Sequence, residues 1–200
     1  WDVVRGASGA VAGEGTLSTE TQYETDVVFA AAVGVAESAP EPFFLLVTPA
    51  APHDPFEFDP AYATMFEDYA FRGGAYDEAD VSDKPRWVQE SPALSAPTMA
   101  MLDENARSQL RMLQSVDAGV ATLLASLAAR GVLDRTMFVY TSDNGYLLGE
   151  HRLLGKGIPY LPAVSVPLVV TGPGWAPAAV SGLVSANVDL AATIQDVAGL

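Results

Sequence analysis

Residues Met137–Gly157, MFVYTSDNGYLLGEHRLLGKG, decide how the chain is read. The apolar run Met137–Tyr140 stops at Ser142-Asp143-Asn144-Gly145. Gly149-Glu150-His151 and Gly155-Lys156-Gly157 follow. A short apolar run bounded by turn residues reads as a buried strand. In an open α/β sheet, ligands gather beyond the carboxyl ends of strands, and that is where these polar residues fall. Asp143 and Asn144 carry hard oxygens suited to Ca²⁺ or Mg²⁺. Lys156 carries a point positive charge for an anion. Taken alone, Asp-Asn-Gly is also a plain turn with solvated charges, so the surroundings have to decide.

Working outward, scarcity is informative. The chain has two histidines, His53 and His151, and two lysines, Lys84 and Lys156, and three of these four lie in or beside candidate site loops. The formal charge of −15 argues against a nucleic-acid or anionic-membrane surface. It leaves room for an anionic substrate held in a local cationic pocket. Zero cysteines exclude disulfides and thiolate metal sites. Half the residues are apolar, so a packed core is expected over 1–200 as one domain. No uninterrupted apolar run approaches the roughly 18 residues of a membrane span. Trp1 in place of an initiator methionine, with no leader segment behind it, reads as the start of an excerpt from a longer protein.

Residues 1–18, rich in Gly, Ala, Ser and Thr, read as loop. From about Thr19 a helix is expected, opened by a Thr19–Gln22 capping box and carrying Tyr23, Val27, Ala31 and Val35 as its apolar stripe. Ser38-Ala39-Pro40-Glu41-Pro42 ends it. Phe43–Val47 reads as a buried strand, followed directly by the Pro-rich turn Pro49–Pro55 that holds His53. Residues 56–98 are irregular. Leu102–Arg130 is the clearest helix, with Leu102, Ala106, Leu110, Leu113, Val116, Val120, Leu123 or Leu124 and Leu127 as its stripe and Gly131 as its stop. Val166–Thr171 reads as a third strand and Asp189–Val197 as a last short helix. Helices alternating with apolar strands give an α/β class with a mainly parallel sheet flanked by helices.

Two tempting motifs fail. A phosphate loop needs four residues between its glycines and Ser or Thr after the Lys, whereas five separate Gly149 from Gly155 and Gly157 follows Lys156. No His-Glu-x-x-His is present, which removes a zinc-peptidase helix.

The whole constellation resembles the C-terminal signature of the sulfatase family. The matching residues run in order: Ser142-Asp143-Asn144-Gly145, Gly149-Glu150-His151, Gly155-Lys156, Tyr160, Val166-Pro167-Leu168 and Gly172-Pro173-Gly174. Ala51-Pro52-His53 resembles the family's Ala-Pro-His loop, and Asp83-Lys84-Pro85-Arg86-Trp87 resembles an Asp-Lys-Pro-x-Trp segment found in the same relatives. The second is either a substrate-side loop or a structural anchor. The resemblance implies an alkaline-phosphatase-like fold, incomplete here because the N-terminal part is missing, and sulfate ester hydrolysis through a formylglycine and one divalent cation, Ca²⁺. It implies Asp143 and Asn144 as metal ligands, Lys156 as a sulfate contact near the leaving group, and His53 as a sulfate contact able to protonate the departing alcohol. His151 is a pocket candidate.

The implied partner is a sulfated small molecule or glycan. Gly149–Leu153 and Lys156–Tyr160 are most similar to sulfatases of amino-sugar or glycosaminoglycan sulfates. A secreted or periplasmic location goes with the family. Two other readings stay open: a phosphomonoester or phosphonate hydrolase of the same superfamily, and a non-catalytic relative that binds sulfated glycans. No Cys/Ser-x-Pro-x-Arg stands in the chain, since Ser38, Ser95 and Ser165 each begin Ser-x-Pro but lack the Arg. Leu161 and Ser165 replace a Glu and an Arg of the family pattern, a loss that suggests an ion pair removed as a unit.

Overall fold

The computed structural model describes residues 2–7, 10–16, 22–175 and 186–200, with backbone alone up to residue 21. The chain gathers into two compact units, residues 1–74 with 93–133, and residues 75–92 with 134–200.

In the first unit, Asp2–Ala7 (β1) and Ala10–Thr16 (β2) pair as an antiparallel hairpin with a register shift at Arg5/Gly6. The opening expected as loop is therefore a ladder. Val3, Val4 and Val11 carry β propensity that the surrounding Gly and Ala masked. Glu24–Ser38 (α1) starts five residues after the expected Thr19, which lies outside the described residues, and its N-cap Tyr23 makes no side-chain capping bond. Glu24 and Asp26 in the first turn suit the positive end of the helix dipole. Its buried stripe is Thr25, Phe29, Ala32 and Ala36. The expected stripe of Tyr23, Val27, Ala31 and Val35 is only half-buried. Small residues won the interface because it is tight.

The partner across that interface is Ala96–Ala129 (α3), which follows a single turn at Arg86–Gln89 (α2) that belongs to the second unit. Ser95 caps α3 by accepting from the Thr98 N–H at 3.2 Å, and Pro97 sits in its first turn, so the helix begins six residues before the expected Leu102. Of the expected stripe, Leu102, Ala106, Val116, Leu123 and Leu127 are buried. Met112, Ser115 and Gly119 join them. Phe29 of α1 packs on Gly119, where an added Cβ would lie 2.2 Å from the ring. At the far end Gly131, with φ +72°, turns the chain, and Val132 N–H donates to Leu127 C=O as buried Val132 closes the cap. Arg130 donates to the carbonyls of Ala36 and Ala39, satisfying the C-terminus of α1, which has no basic residue of its own in its last turn. By length and composition α3 is long and apolar enough to cross a membrane, with a third of its most apolar window buried; α1 packs against it.

Phe43–Val47 joins no ladder among the described residues, which corrects the expected buried strand. Its covering alternates with period two: Phe43, Leu45 and Val47 are partly covered, while Phe44 and Leu46 are 68% and 73% exposed. The sequence supplies the strand pattern, and only a paired neighbour would complete it.

In the second unit, Phe138–Thr141 (β3) pairs antiparallel with Leu168–Thr171 (β6), Phe138 facing Thr171 and Thr141 facing Leu168. Between them lie Leu147–Leu148 (β4) and Leu154–Gly155 (β5), also antiparallel, and the single turn Leu161–Val164 (α4). Val188–Ala198 (α5) ends the chain, with Gly199 left-handed at its C-cap. All ladders among the described residues are antiparallel, so the expected parallel pairing is not seen within them. The α/β alternation stands. Val81, Val88, Leu147, Leu153 and Ala163 form the core, with Ile158 and Tyr160 packed on it.

Candidate functional site

The end of β3 delivers Ser142-Asp143-Asn144-Gly145 into a sharp turn. Asp143 is exposed, and its Oδ1 accepts the Asn144 N–H at 2.8 Å. Asn144 donates from Nδ2 to the Gly145 carbonyl at 2.9 Å, so its amide oxygen is the atom turned away from the backbone. Asn187, at the start of α5, donates to the Ser142 carbonyl at 2.9 Å and ties the turn down. Gly145 has a packing reason to be glycine. Its N–H donates to Ala163 C=O at 2.9 Å, and an added Cβ would fall 2.0 Å from the carbonyl oxygen of Pro162. The turn read from sequence is thus a backbone-to-backbone contact between the β3 loop and α4.

Lys156 follows β5 between Gly155 and Gly157, whose φ angles of +85° and +88° suit glycine alone. Its side chain is exposed and makes no ion pair with a described residue. Lys84 is the opposite case. Its ammonium is 14% exposed and meets Asp83 at 2.7 Å and Glu78 at 3.4 Å. Its neighbour Val88 is fully buried. Of the two readings of Asp83–Trp87, these contacts favour the anchor. Asp143 and Asn144 line a cleft of about 610 Å³ together with Gly157, Ile158 and Pro159 of the Lys156 loop and with Asn187.

His151 sits at the tip between β4 and β5, left-handed with φ +54°, and Arg152 beside it has φ +63°. The imidazole presents its Nδ1–H to Glu78 Oε2 at 2.6 Å, and its ring lies 4.6 Å from that of Tyr160. This hydrogen bond, with Lys84 adding to it, holds the Glu78 carboxyl below the usual carboxylate range. Arg152 donates to the carbonyls of Glu78, Ala79 and Ser91. Buried Glu150 accepts the Leu148 N–H at 2.7 Å. His151 is thus engaged with Glu78 and Tyr160, and it is not among the residues that line the cleft.

His53 belongs to the first unit. Its backbone N–H closes a turn on Ala50, and its Nδ1 is taken by Asp54, 2.7 Å from the carbonyl and 3.0 Å from the carboxylate. With Nδ1–H held this way, Nε2 is the nitrogen left to work, on a side chain 53% exposed. Glu78, Arg152 and Asn187 escaped the sequence reading because each acts across a long stretch of chain and lies in no periodic pattern.

A family model described as Sulfatase matches residues 7–200. The chain belongs to the sulfatase family. The arylsulfatase of Volvox carteri is 35% identical over 207 residues, covering 88% of this chain and 32% of that protein. The N-acetylglucosamine-6-sulfatase of Capra hircus is 34% identical over 181 residues, again covering 88% and 32%. The chain spans about a third of the length of these curated relatives. A protein solved in complex with its substrate D-glucosamine-2-N,6-O-disulfate shares the fold, with a TM-score of 0.69 and 24% identity over 89% of this chain and 49% of that one. The fold is that of the sulfatases, α/β and alkaline-phosphatase-like, and the chain is part of such a domain.

Sulfatases imply a divalent cation and a formylglycine. Among the described residues no three His, Asp or Glu side chains converge as a metal site. Asp143 and Asn144, which both line the cleft, carry oxygen donors of the kind a hard cation takes as part of its shell. Leu161 and Ser165, which depart from the family pattern, stand at the two ends of the α4 turn, where Ser165 N–H donates to Leu161 C=O at 2.8 Å.

Proposed function

We propose that this chain supplies the cation-binding and sulfate-facing portion of a sulfuric ester hydrolase acting on a sulfated sugar or aryl alcohol. The observation that carries the reading is the cleft that Asp143 and Asn144 share with the loop of Lys156. Hard oxygens in a cleft flanked by the loop that carries an exposed ammonium suit a sulfate monoester. The oxygens recruit a cation, and the ammonium meets a non-bridging sulfate oxygen as negative charge shifts toward the leaving group. A bound divalent cation supplies charge against those sulfate oxygens. Asp143 and Asn144 would hold it. For His53 the family resemblance implies a proton donor, with Nε2 its available nitrogen. The names of the Capra hircus relative and of the sulfated glucosamine bound to the fold neighbour favour a sulfated amino sugar as substrate class.

The test uses the longest polypeptide that carries this chain. Asp143→Ala is expected to abolish Ca²⁺ binding and turnover together. Lys156→Ala is expected to keep Ca²⁺ and lower kcat by about 10²–10³, the range for removing one charge-stabilising group. Calorimetric Ca²⁺ titration and turnover of N-acetylglucosamine 6-sulfate and an aryl sulfate provide the readouts. Equal metal loss in both variants would overturn these roles. Faster turnover of the matching phosphate esters would move the protein to the phosphohydrolase reading, and binding of sulfated glycan without turnover to the non-catalytic one.

A further inference from the structure

Lys156 carries the anion contact in the reading above, yet no ion pair with a described residue fixes where its side chain points. Its backbone is pinned from both ends. On one side β5 pairs with β4, Leu147 opposite Gly155 and Leu148 opposite Leu154. On the other, the Lys156–Pro159 loop ends at Tyr160, whose ring lies 4.6 Å from His151 and 6.4 Å from the edge-on Trp87. Behind His151 stands Glu78, with one carboxylate oxygen on the imidazole and the other toward Lys84.

We infer that Glu78, His151 and Tyr160 form a positioning chain that sets the pose of Lys156 toward a bound sulfate. The inference rests on the assignment of Lys156 as the sulfate contact. Simple packing would account for Tyr160 against an apolar neighbour. It does not account for two successive non-glycine residues, His151 and Arg152, held left-handed at a hairpin tip. Such a conformation persists only where the surroundings over-determine it. Here they do so through one carboxylate and three backbone carbonyls of the 78–91 segment, together with His151 N–H donating to Ala75 C=O and Asp77 N–H donating to Gly149 C=O. That segment also engages Lys84 through Glu78 and Asp83, so of the two lysines only Lys156 is left to meet an external anion. Glu78 acts through His151 and Tyr160; it is a positioning residue.

The test again uses the longest polypeptide carrying the chain, grown with lysine labelled at ¹³Cε, with the Lys156 resonance assigned by Lys156→Arg and followed while inorganic sulfate is added. Glu78→Gln weakens the pull on the imidazole. His151→Asn removes the ring yet keeps a residue type at home in the left-handed region. Both are expected to move or broaden the Lys156 resonance before sulfate is added, and to weaken its response to sulfate about 2- to 10-fold, the range of one ordinary hydrogen bond. Tyr160→Phe, which keeps the ring, should match the parent; Tyr160→Leu should match His151→Asn. In Glu78→Gln the Lys84 signal moves in any case and reports that the segment is folded. A Lys156 signal unchanged in both Glu78→Gln and His151→Asn, with Lys84 displaced in the first, overturns the positioning chain. A parent Lys156 signal that ignores sulfate overturns the sulfate assignment instead, while the variant effects without sulfate still decide whether the chain of contacts exists.

Discussion

A single methyl group added at Gly145 would sit 2.0 Å from the Pro162 carbonyl oxygen, with Pro162 C at 3.0 Å. Both neighbours are backbone, so neither can swing aside. Gly145→Ala is therefore expected to cost about 1–3 kcal/mol, the usual penalty of overpacking. Because Asn144 precedes it, Ca²⁺ affinity should fall alongside stability, which urea midpoints and calorimetry on the same sample would show. Glu78 gives a pH signature. Its folded pKa lies below the ordinary value of 4.5, chiefly through the His151 hydrogen bond. Its contribution is thus fully present above about pH 4.5 and disappears as pH falls through the lower folded value. Comparing parent with Glu78→Gln between pH 6 and pH 3, the stability gap is expected at pH 6 and should close toward pH 3. A gap of constant size across that range would show that the carboxylate is not held by these partners.

At the scale of elements, the socket between α1 and α3 makes its own prediction. Phe29 lies on Gly119, and the ring is buried. Gly119→Ala should lower stability by about 1–3 kcal/mol. In a double-mutant cycle with Phe29→Ala the two changes should be strongly non-additive, since the first is harmful only while the ring is there. The same contact explains what the sequence could and could not tell. The helix of α3 was legible because its apolar residues recur at helical spacing, and Ser95 with Pro97 in fact announces its start. The face α1 turns inward was not, because Ala32 and Ala36 are buried for their smallness, a property visible only once Phe29 and Gly119 are seen to interlock. Likewise β3, β6 and the turn at Asp143 followed from apolar runs ending in Gly-rich segments. Their antiparallel pairing depends on how residues 142–167 bring the chain back beside β3, and no local pattern records that. Phe43–Val47 shows the limit from the other direction, since it keeps a strand's alternation without the ladder that would make it one. The residues Asp143, Asn144 and Lys156 could be named from sequence; Glu78 could not, because only the folded second unit brings it to His151.

For the molecule as a whole, the 200 residues by themselves are expected to show no sulfatase turnover even with Ca²⁺, since no Cys/Ser-x-Pro-x-Arg stands among them. An aryl sulfate assay of residues 1–200 decides this; turnover lost on Lys156→Ala would reveal a nucleophile of another kind. The contrast between the two lysines has a practical side. The chain offers acylating reagents one open side-chain amine, Lys156, because Lys84 is largely covered and bound to two carboxylates. With no cysteine anywhere, any thiol introduced by mutation would also be unique. A single polypeptide thus provides two chemically orthogonal handles. A dye coupled at Lys156 would report from the loop whose next residues line the cleft, and a second attached at a chosen cysteine would serve as its distance partner.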